Sequence, residues 1–177
     1  MKKSRYDVII IGCGTAGIFA GYELERLCPG MDILMLEQGN DIYHRCCPIV
    51  RKKTQTCINC PSCAIMSGFG GAGAFSDGKY NFTTLFGGWL SDYMNSDAIM
   101  ELIEYVDSIN VKFGATLKRY STDSAEAREI ARKALSHDLH LLDAAVKHLG
   151  TENNLVILTR LYDYLNQRLE LVCNAPV

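Results

Sequence analysis

Tyr6-Asp-Val-Ile-Ile-Ile-Gly12-Cys-Gly14-Thr-Ala-Gly17 runs from an apolar stretch, Val8 to Ile11, straight into a G-x-G-x-x-G turn. Ile18, Phe19, Tyr22, Leu24 and Leu27 then recur at helical spacing, and a second apolar run, Ile33 to Leu36, ends on Glu37. That order predicts strand, tight turn, helix, strand and carboxylate, which together make a βαβ unit suited to a dinucleotide. Gly12 permits the turn, Gly14 lets backbone approach a pyrophosphate, and Gly17 lets the helix lie close on the strand. The helix N-terminus offers unpaired N–H groups and a partial positive charge to phosphate. Glu37 stands 20 residues after Gly17, the usual distance for a carboxylate that accepts from ribose hydroxyls. The same carboxylate disfavours a 2′-phosphate, so FAD or NAD is expected ahead of NADP. The competing reading is a glycine turn in some other α/β domain, with Glu37 an ordinary exposed acid. The strand before, the helix after and the spacing of the acid all argue against it.

Working outward, the 177 residues have the length of one domain, and 48% hydrophobic content can supply a core. A net charge of −2 with no Lys/Arg-rich run argues against a nucleic-acid partner. Met-Lys-Lys before an apolar run invites a signal-peptide reading, but no A-x-A-like site follows, and Glu23 and Glu25 soon intervene. No window approaches the roughly 18 apolar residues of a membrane span. The expectation is a cytosolic protein with no membrane partner. The eight cysteines are then not a disulfide framework, and Cys13, Cys28 and Cys173 read as small apolar residues of a reduced protein.

Past Glu37 the periodicity stops, and turn formers dominate from Gly39 to about Thr83. A loop that long in a compact domain usually has a function. From Leu85 the chain turns helical. A short helix is expected over Leu85 to Met94. A longer one runs from Asp97 to Phe113 behind a Ser96 cap, and a third from the Asp123-x-x-Glu126 start to about Ser136. Leu139 to Val146 carries an ambiguous pattern and is read as a strand. Leu155 to Leu169 is amphipathic, and Glu170 to Cys173 reads as a closing strand parallel to the first two.

Two segments inside the long loop carry chemistry. Cys57-Ile-Asn-Cys60-Pro-Ser-Cys63 is C-x-x-C-x-x-C, with Cys46-Cys47-Pro48 upstream. Thiolates at that spacing suit zinc or an iron–sulfur cluster, with a fourth ligand from Cys46 or Cys47. They also suit a redox pair facing a flavin, or a reduced loop with no ligand at all, and spacing alone leaves the three open. Gly68-Phe-Gly-Gly-Ala-Gly-Ala-Phe-Ser-Asp-Gly-Lys79 leaves backbone bare for a flat or anionic ligand, and Ser76, Asp77 and Lys79 add polar groups. A flexible surface loop is the rival reading. His148 has no sequence partner and reads as structural or solvent-facing ahead of acid/base use, with His44, His137 and His140 weaker still.

Together these segments resemble the bacterial FAD-dependent dehydrogenases of the glutathione-reductase-like flavoprotein class. Within it, they are most similar to a poorly characterised subgroup with a cysteine-rich stretch followed by G-F-G-G-A-G-A-F-S-D-G-K. Asp7 to Gly17, Leu34 to Gly39, Cys46 to Ile49, Cys57 to Cys63, Gly68 to Lys79, Gly87 to Leu90 and His148 to Thr151 carry the resemblance. It implies FAD as a bound group, with Gly12, Gly14, Thr15, Ala16 and Gly17 at the pyrophosphate and Glu37, with Gln38 beside it, at the adenosine ribose. It places Ser76, Asp77, Gly78 and Lys79 along the flavin, and the backbone of Val177 at the adenine. Members of the class continue with a β-meander, a substrate domain and a late Gly-Asp segment, so the chain is expected to be the N-terminal part of a longer protein.

The expected fold is α/β, a Rossmann-like FAD-binding βαβ core with a largely helical insertion and an incomplete parallel sheet. Residues 1–40 form the βαβ unit, 41–83 a cysteine- and glycine-rich flavin-contact loop, 84–169 a mainly helical segment and 170–177 the third strand. The expected activity is that of an FAD-dependent oxidoreductase acting on an unidentified small-molecule substrate or electron donor. The alternatives are a non-catalytic or truncated dinucleotide-binding module, and an electron carrier with metal or an iron–sulfur cluster at Cys57, Cys60 and Cys63.

Overall fold

A computed structural model describes residues 3–177 as a mixed α/β chain in two compact units. The first comprises Met1–Ser76 and Thr151–Val177, and the second Asp77–Gly150.

The first unit is built on a parallel sheet. β1 (Val8–Ile11) and β2 (Ile33–Leu36) pair in register from Val8↔Ile33 to Ile11↔Leu36, and α1 (Thr15–Leu27) crosses between them. The β-branched run of β1 favours extended backbone. Pro29 and Gly30, the latter at φ 93°, follow α1 where the chain turns back. α1 lies very close to the sheet because it meets it with glycines. A Cβ added to Gly17 would lie 1.9 Å from the Gly12 carbonyl oxygen, and one added to Gly21 would lie 2.7 Å from the Met35 sulfur. Buried Ile18, Tyr22, Leu34 and Met35 fill the space around that contact.

The third strand, β6 (Glu170–Val172), pairs parallel with β2, giving the strand order β1-β2-β6. A long helix leads into it (Gly150–Asn166), whose Ile157, Leu161 and Leu165 are buried. Tyr164 of this helix packs its ring at a tilt against Tyr22, centres 5.5 Å apart, and donates to Glu25 at 2.7 Å, fastening it to α1. The third parallel strand expected near residue 170 is therefore present. Backbone pairing continues beyond it, as Asn174 donates to Gly39 O at 2.8 Å and Ala175 to Glu37 O at 2.9 Å.

The second unit adds a small sheet to the helices expected of it. It holds an antiparallel sheet of β3 (Lys79–Phe82), β4 (Tyr120–Ser121) and β5 (Ala145–His148), in the order β3-β5-β4. Two helices accompany it, α2 (Ser96–Lys112) and α3 (Ala125–Leu135), so the helix of 150–166 is α4. The strands are two to four residues long, too short for alternation to register in sequence. The helices are more legible, though each cap sits one residue away from expectation. Asn95 accepts from Ala98 N at 2.9 Å, in place of a Ser96 cap, and Ser124 accepts from Ala127 N at 3.1 Å. The short helix expected over 85–94 is a single 3₁₀ turn, Leu90–Asp92. Leu85, Phe86, Trp89, Leu90 and Tyr93 are all exposed, so no buried face sustains a longer helix.

Beneath the sheet, Lys147 of β5 is fully buried, and its Nζ donates to both oxygens of Asp107 on α2 at 2.7 Å. Arg119 donates to Asp107 at 2.8 Å and to both oxygens of Glu104, with its guanidinium 3.8 Å from the Phe82 ring centre. Among the described residues no helix is long and apolar enough to cross a membrane.

Candidate functional site

The G-x-G-x-x-G turn joins β1 to α1. Gly12 has φ 93°, a conformation open chiefly to glycine, and its N–H donates to Leu36 O at 2.7 Å, tying the turn to the end of β2. Gly14 is the N-cap of α1 and supplies no side-chain cap, and no acid stands in the first helical turn. Ile18 N donates to Gly14 O at 3.0 Å, closing the first turn of the helix. The N–H groups of Thr15, Ala16 and Gly17 are thus the unpaired donors that every helix start presents. Thr15 and Ala16 are solvent-exposed. A Cβ built on Gly12 or Gly14 would meet nothing within 4 Å, whereas one on Gly17 would strike the turn itself. The turn therefore has open space on its outer side and tight packing on its inner side. Unpaired donors, a helix dipole and bare backbone beside open space suit an anionic group.

Glu37 is in a different setting from the one spacing suggests. Its side chain is buried, and both carboxylate oxygens already have partners. Oε2 accepts from Cys13 N at 2.8 Å, and Oε1 from Gly39 N at 2.8 Å and Gly68 N at 2.9 Å. The carboxylate fastens the glycine turn, the end of β2 and the start of the second glycine segment to one another. A carboxylate has roughly four acceptor positions, so three amide bonds leave room for about one further donor. Gln38, next along, is exposed, with its amide 3.4 Å from the Ser67 hydroxyl.

The second glycine segment packs directly on this turn. Gly70 N donates to Cys13 O at 2.8 Å, and a Cβ on Gly71 would lie 3.3 Å from the Gly14 Cα. Phe69 is fully buried, edge-on to Tyr162 of α4 at 5.0 Å, and Asn154 of α4 donates to Gly73 O at 2.8 Å. Residues 68–73 are thus an anchored wall of the glycine turn and not the flexible surface loop of the rival reading.

Arg45 belongs to no sequence motif, and motif reasoning misses it. Its buried guanidinium binds carbonyls of Ala64, Ile65, Phe69 and Gly71, and so holds the loop that carries the wall. The one available signal is an arginine set among apolar and cysteine residues, which spacing rules do not weigh.

The remaining expected residues fall in different places. Ser76 is exposed at the end of the first unit's glycine segment. Asp77, Gly78 and Lys79 belong to the second unit. There Lys79 pairs with Asp77 at 2.8 Å across exposed surface and holds that carboxyl below its ordinary range. Gly78 is buried at φ 66°, its carbonyl accepting from Leu149 N at 2.9 Å. Val177 is exposed beyond the residues that pair with Glu37 and Gly39. His148 is exposed on β5.

Cys57, Cys60 and Cys63 do not assemble into the metal site that their spacing suggests. Among the described residues no group of three or more His, Cys, Asp or Glu is arranged to hold a metal ion. The segment runs through surface turns, with Cys57 and Cys63 exposed and all eight cysteines free thiols. C-x-x-C-x-x-C spacing gathers thiolates only where the backbone curls them inward, and here it does not. The backbone N–H groups of Met66 and Ile65, aided by Arg45, lower the pKa of the Cys63 thiol. Burial pushes Cys13 and Cys173 the other way, up to about 12.

No protein-family model and no curated protein matches the chain. Solved structures similar to it include L-amino acid deaminase from Proteus myxofaciens in complex with anthranilate, at 16% identity and a TM-score of 0.42. L-amino acid deaminase from Proteus vulgaris is similar at 10% identity and a TM-score of 0.41. Each alignment covers 97% of this chain, which spans only 39% and 40% of those proteins' lengths.

Proposed function

We propose that the chain binds FAD through a Rossmann-like βαβ core and serves in a flavin-dependent oxidoreductase. The observation that carries this reading is the glycine turn. It has a positive-φ Gly12, an uncapped helix N-terminus at Gly14, open space beyond both, and a carboxylate at the end of β2. These residues fit the adenosine-diphosphate half of the cofactor. The N–H groups of Thr15, Ala16 and Gly17 meet the pyrophosphate, and the absence of an acid in that turn spares it repulsion. Glu37 accepts from a ribose hydroxyl at its remaining position and repels a 2′-phosphate, which separates FAD and NAD from NADP. The exposed chain end at Val177 is taken as the adenine-side backbone contact, and Ser76 as a polar contact farther along the cofactor. FAD rather than NAD rests on the resemblance carried by Gly68 to Lys79.

When bound, FAD supplies two-electron transfer, while the protein supplies binding, orientation and electrostatics. The glycine turn and Glu37 act on the phosphate and ribose end, and the substrate stays unassigned. Protein purified from FAD-supplied cells and then denatured should release FAD in about equimolar amount, seen by its absorbance and fluorescence. A colourless protein that also fails to take up added FAD would remove the proposal.

A further inference from the structure

Arg45 is buried, at 7% exposure, and its guanidinium faces backbone carbonyls of the cysteine-rich loop and the glycine segment after it. Nε donates to Ala64 O at 2.9 Å, and Nη2 to Ile65 O at 2.7 Å. Nη1 donates to Phe69 O at 2.9 Å and Gly71 O at 2.6 Å, with Gly68 O at 3.5 Å. The Phe75 ring lies 4.9 Å from the guanidinium carbon. A guanidinium has five N–H donors in a fixed fork, and here carbonyls occupy most of them. No bidentate edge is left for a phosphate, so Arg45 does not grip the ligand itself.

Its effect falls on the glycine segment. Glu37 accepts from Gly68 N while Arg45 binds the carbonyls of Phe69 and Gly71, so an anion and a cation hold the segment between them. In that position Gly70 reaches Cys13 O, and Gly71 comes against Gly14. A lysine, with one compact ammonium, cannot serve carbonyls spread from Ala64 to Gly71.

We propose that Arg45 is a positioning residue for the dinucleotide site, holding Gly68–Gly71 against the Gly12–Gly17 turn so that the phosphate cradle is formed before a ligand arrives. This role rests on the dinucleotide reading of the glycine turn. Preorganisation of this kind favours binding because the ligand no longer has to order the loop.

The test uses the whole chain and ADP as probe. Arg45→Lys is expected to melt cooperatively yet bind ADP at least tenfold more weakly. Amide exchange should quicken in peptides covering residues 64–73 and stay unchanged in those covering β1, α1 and β2. Saturating ADP should restore the lost protection. Wild-type ADP affinity in Arg45→Lys, or exchange rising uniformly with a lowered melting temperature, overturns the proposal and leaves the dinucleotide reading standing. Wild-type protein that binds neither ADP nor FAD overturns both. Should Arg45→Lys fail to fold, Phe75→Leu removes the ring beside the guanidinium. The same local exchange and weakened ADP binding are then expected, and their absence counts against the proposal.

Discussion

Glu37 shows at single-residue scale how a motif residue serves the fold. Its carboxylate collects three backbone N–H groups from three separate stretches of chain, at Cys13, Gly39 and Gly68. Hydrogen bonds to a buried charged group contribute about 1.5–3 kcal/mol each, and an amide in the same place turns its NH₂ toward donors. Glu37→Gln is therefore expected to lower unfolding stability by about 1.5–3 kcal/mol, measured by urea denaturation, and to weaken ADP binding. The acid is legible from its distance to Gly17, but its partners are not, because two of them lie in loops that spacing does not bring together. The cysteines divide by surroundings in a way sequence does not reveal. Cys63 is exposed and its thiolate accepts from backbone N–H groups, whereas burial raises the thiols of Cys13 and Cys173 to about 12. A lowered pKa means thiolate persists on the acid side of the ordinary thiol value, about 8.5. Iodoacetamide at neutral pH should thus alkylate Cys63 well ahead of Cys13 and Cys173, read by peptide mass spectrometry. In urea the difference should vanish.

Among the elements, the parallel strands and α1 follow directly from sequence. One apolar run of four residues feeds the glycine turn and a second follows α1, and Gly17 and Gly21 set how closely the helix lies on the sheet. The second unit is not legible in the same way. Its strands are short, and β5 is Ala-Val-Lys-His, with a buried lysine at a position that reads as surface. Asp107 is what makes that burial tolerable, and it lies 40 residues away. Removing one partner of a buried pair strands the other charge, so Asp107→Ala is expected to cost about 3–5 kcal/mol. A double variant, Asp107→Leu with Lys147→Met, should recover much of that loss in urea melts. Acid weakens the neighbouring contact as well. Arg119 holds the Glu104 carboxyl below its ordinary 4.5, so its contribution is present above that pH and is lost as pH falls through the depressed value.

For the molecule as a whole, two units of different architecture share one chain, and the proposed dinucleotide site is built from residues of the first. The parallel sheet, the glycine turn, Glu37 and the Arg45-held glycine segment all belong to it. If the open space outside Gly14 is a phosphate cradle, filling it must abolish binding without disturbing the fold. Gly14 itself allows that test, since its φ of −73° suits any residue and a Cβ there meets no atom. Gly14→Glu should leave the fold intact while filling the cradle with a like charge. Titration calorimetry of wild type and Gly14→Glu with ADP, followed by FAD, measures this most directly. Saturable binding of one ligand per chain in wild type, and none in a variant that melts at the wild-type temperature, is the predicted result. A wild type that binds neither ligand, or a folded variant that binds both as wild type does, would contradict it.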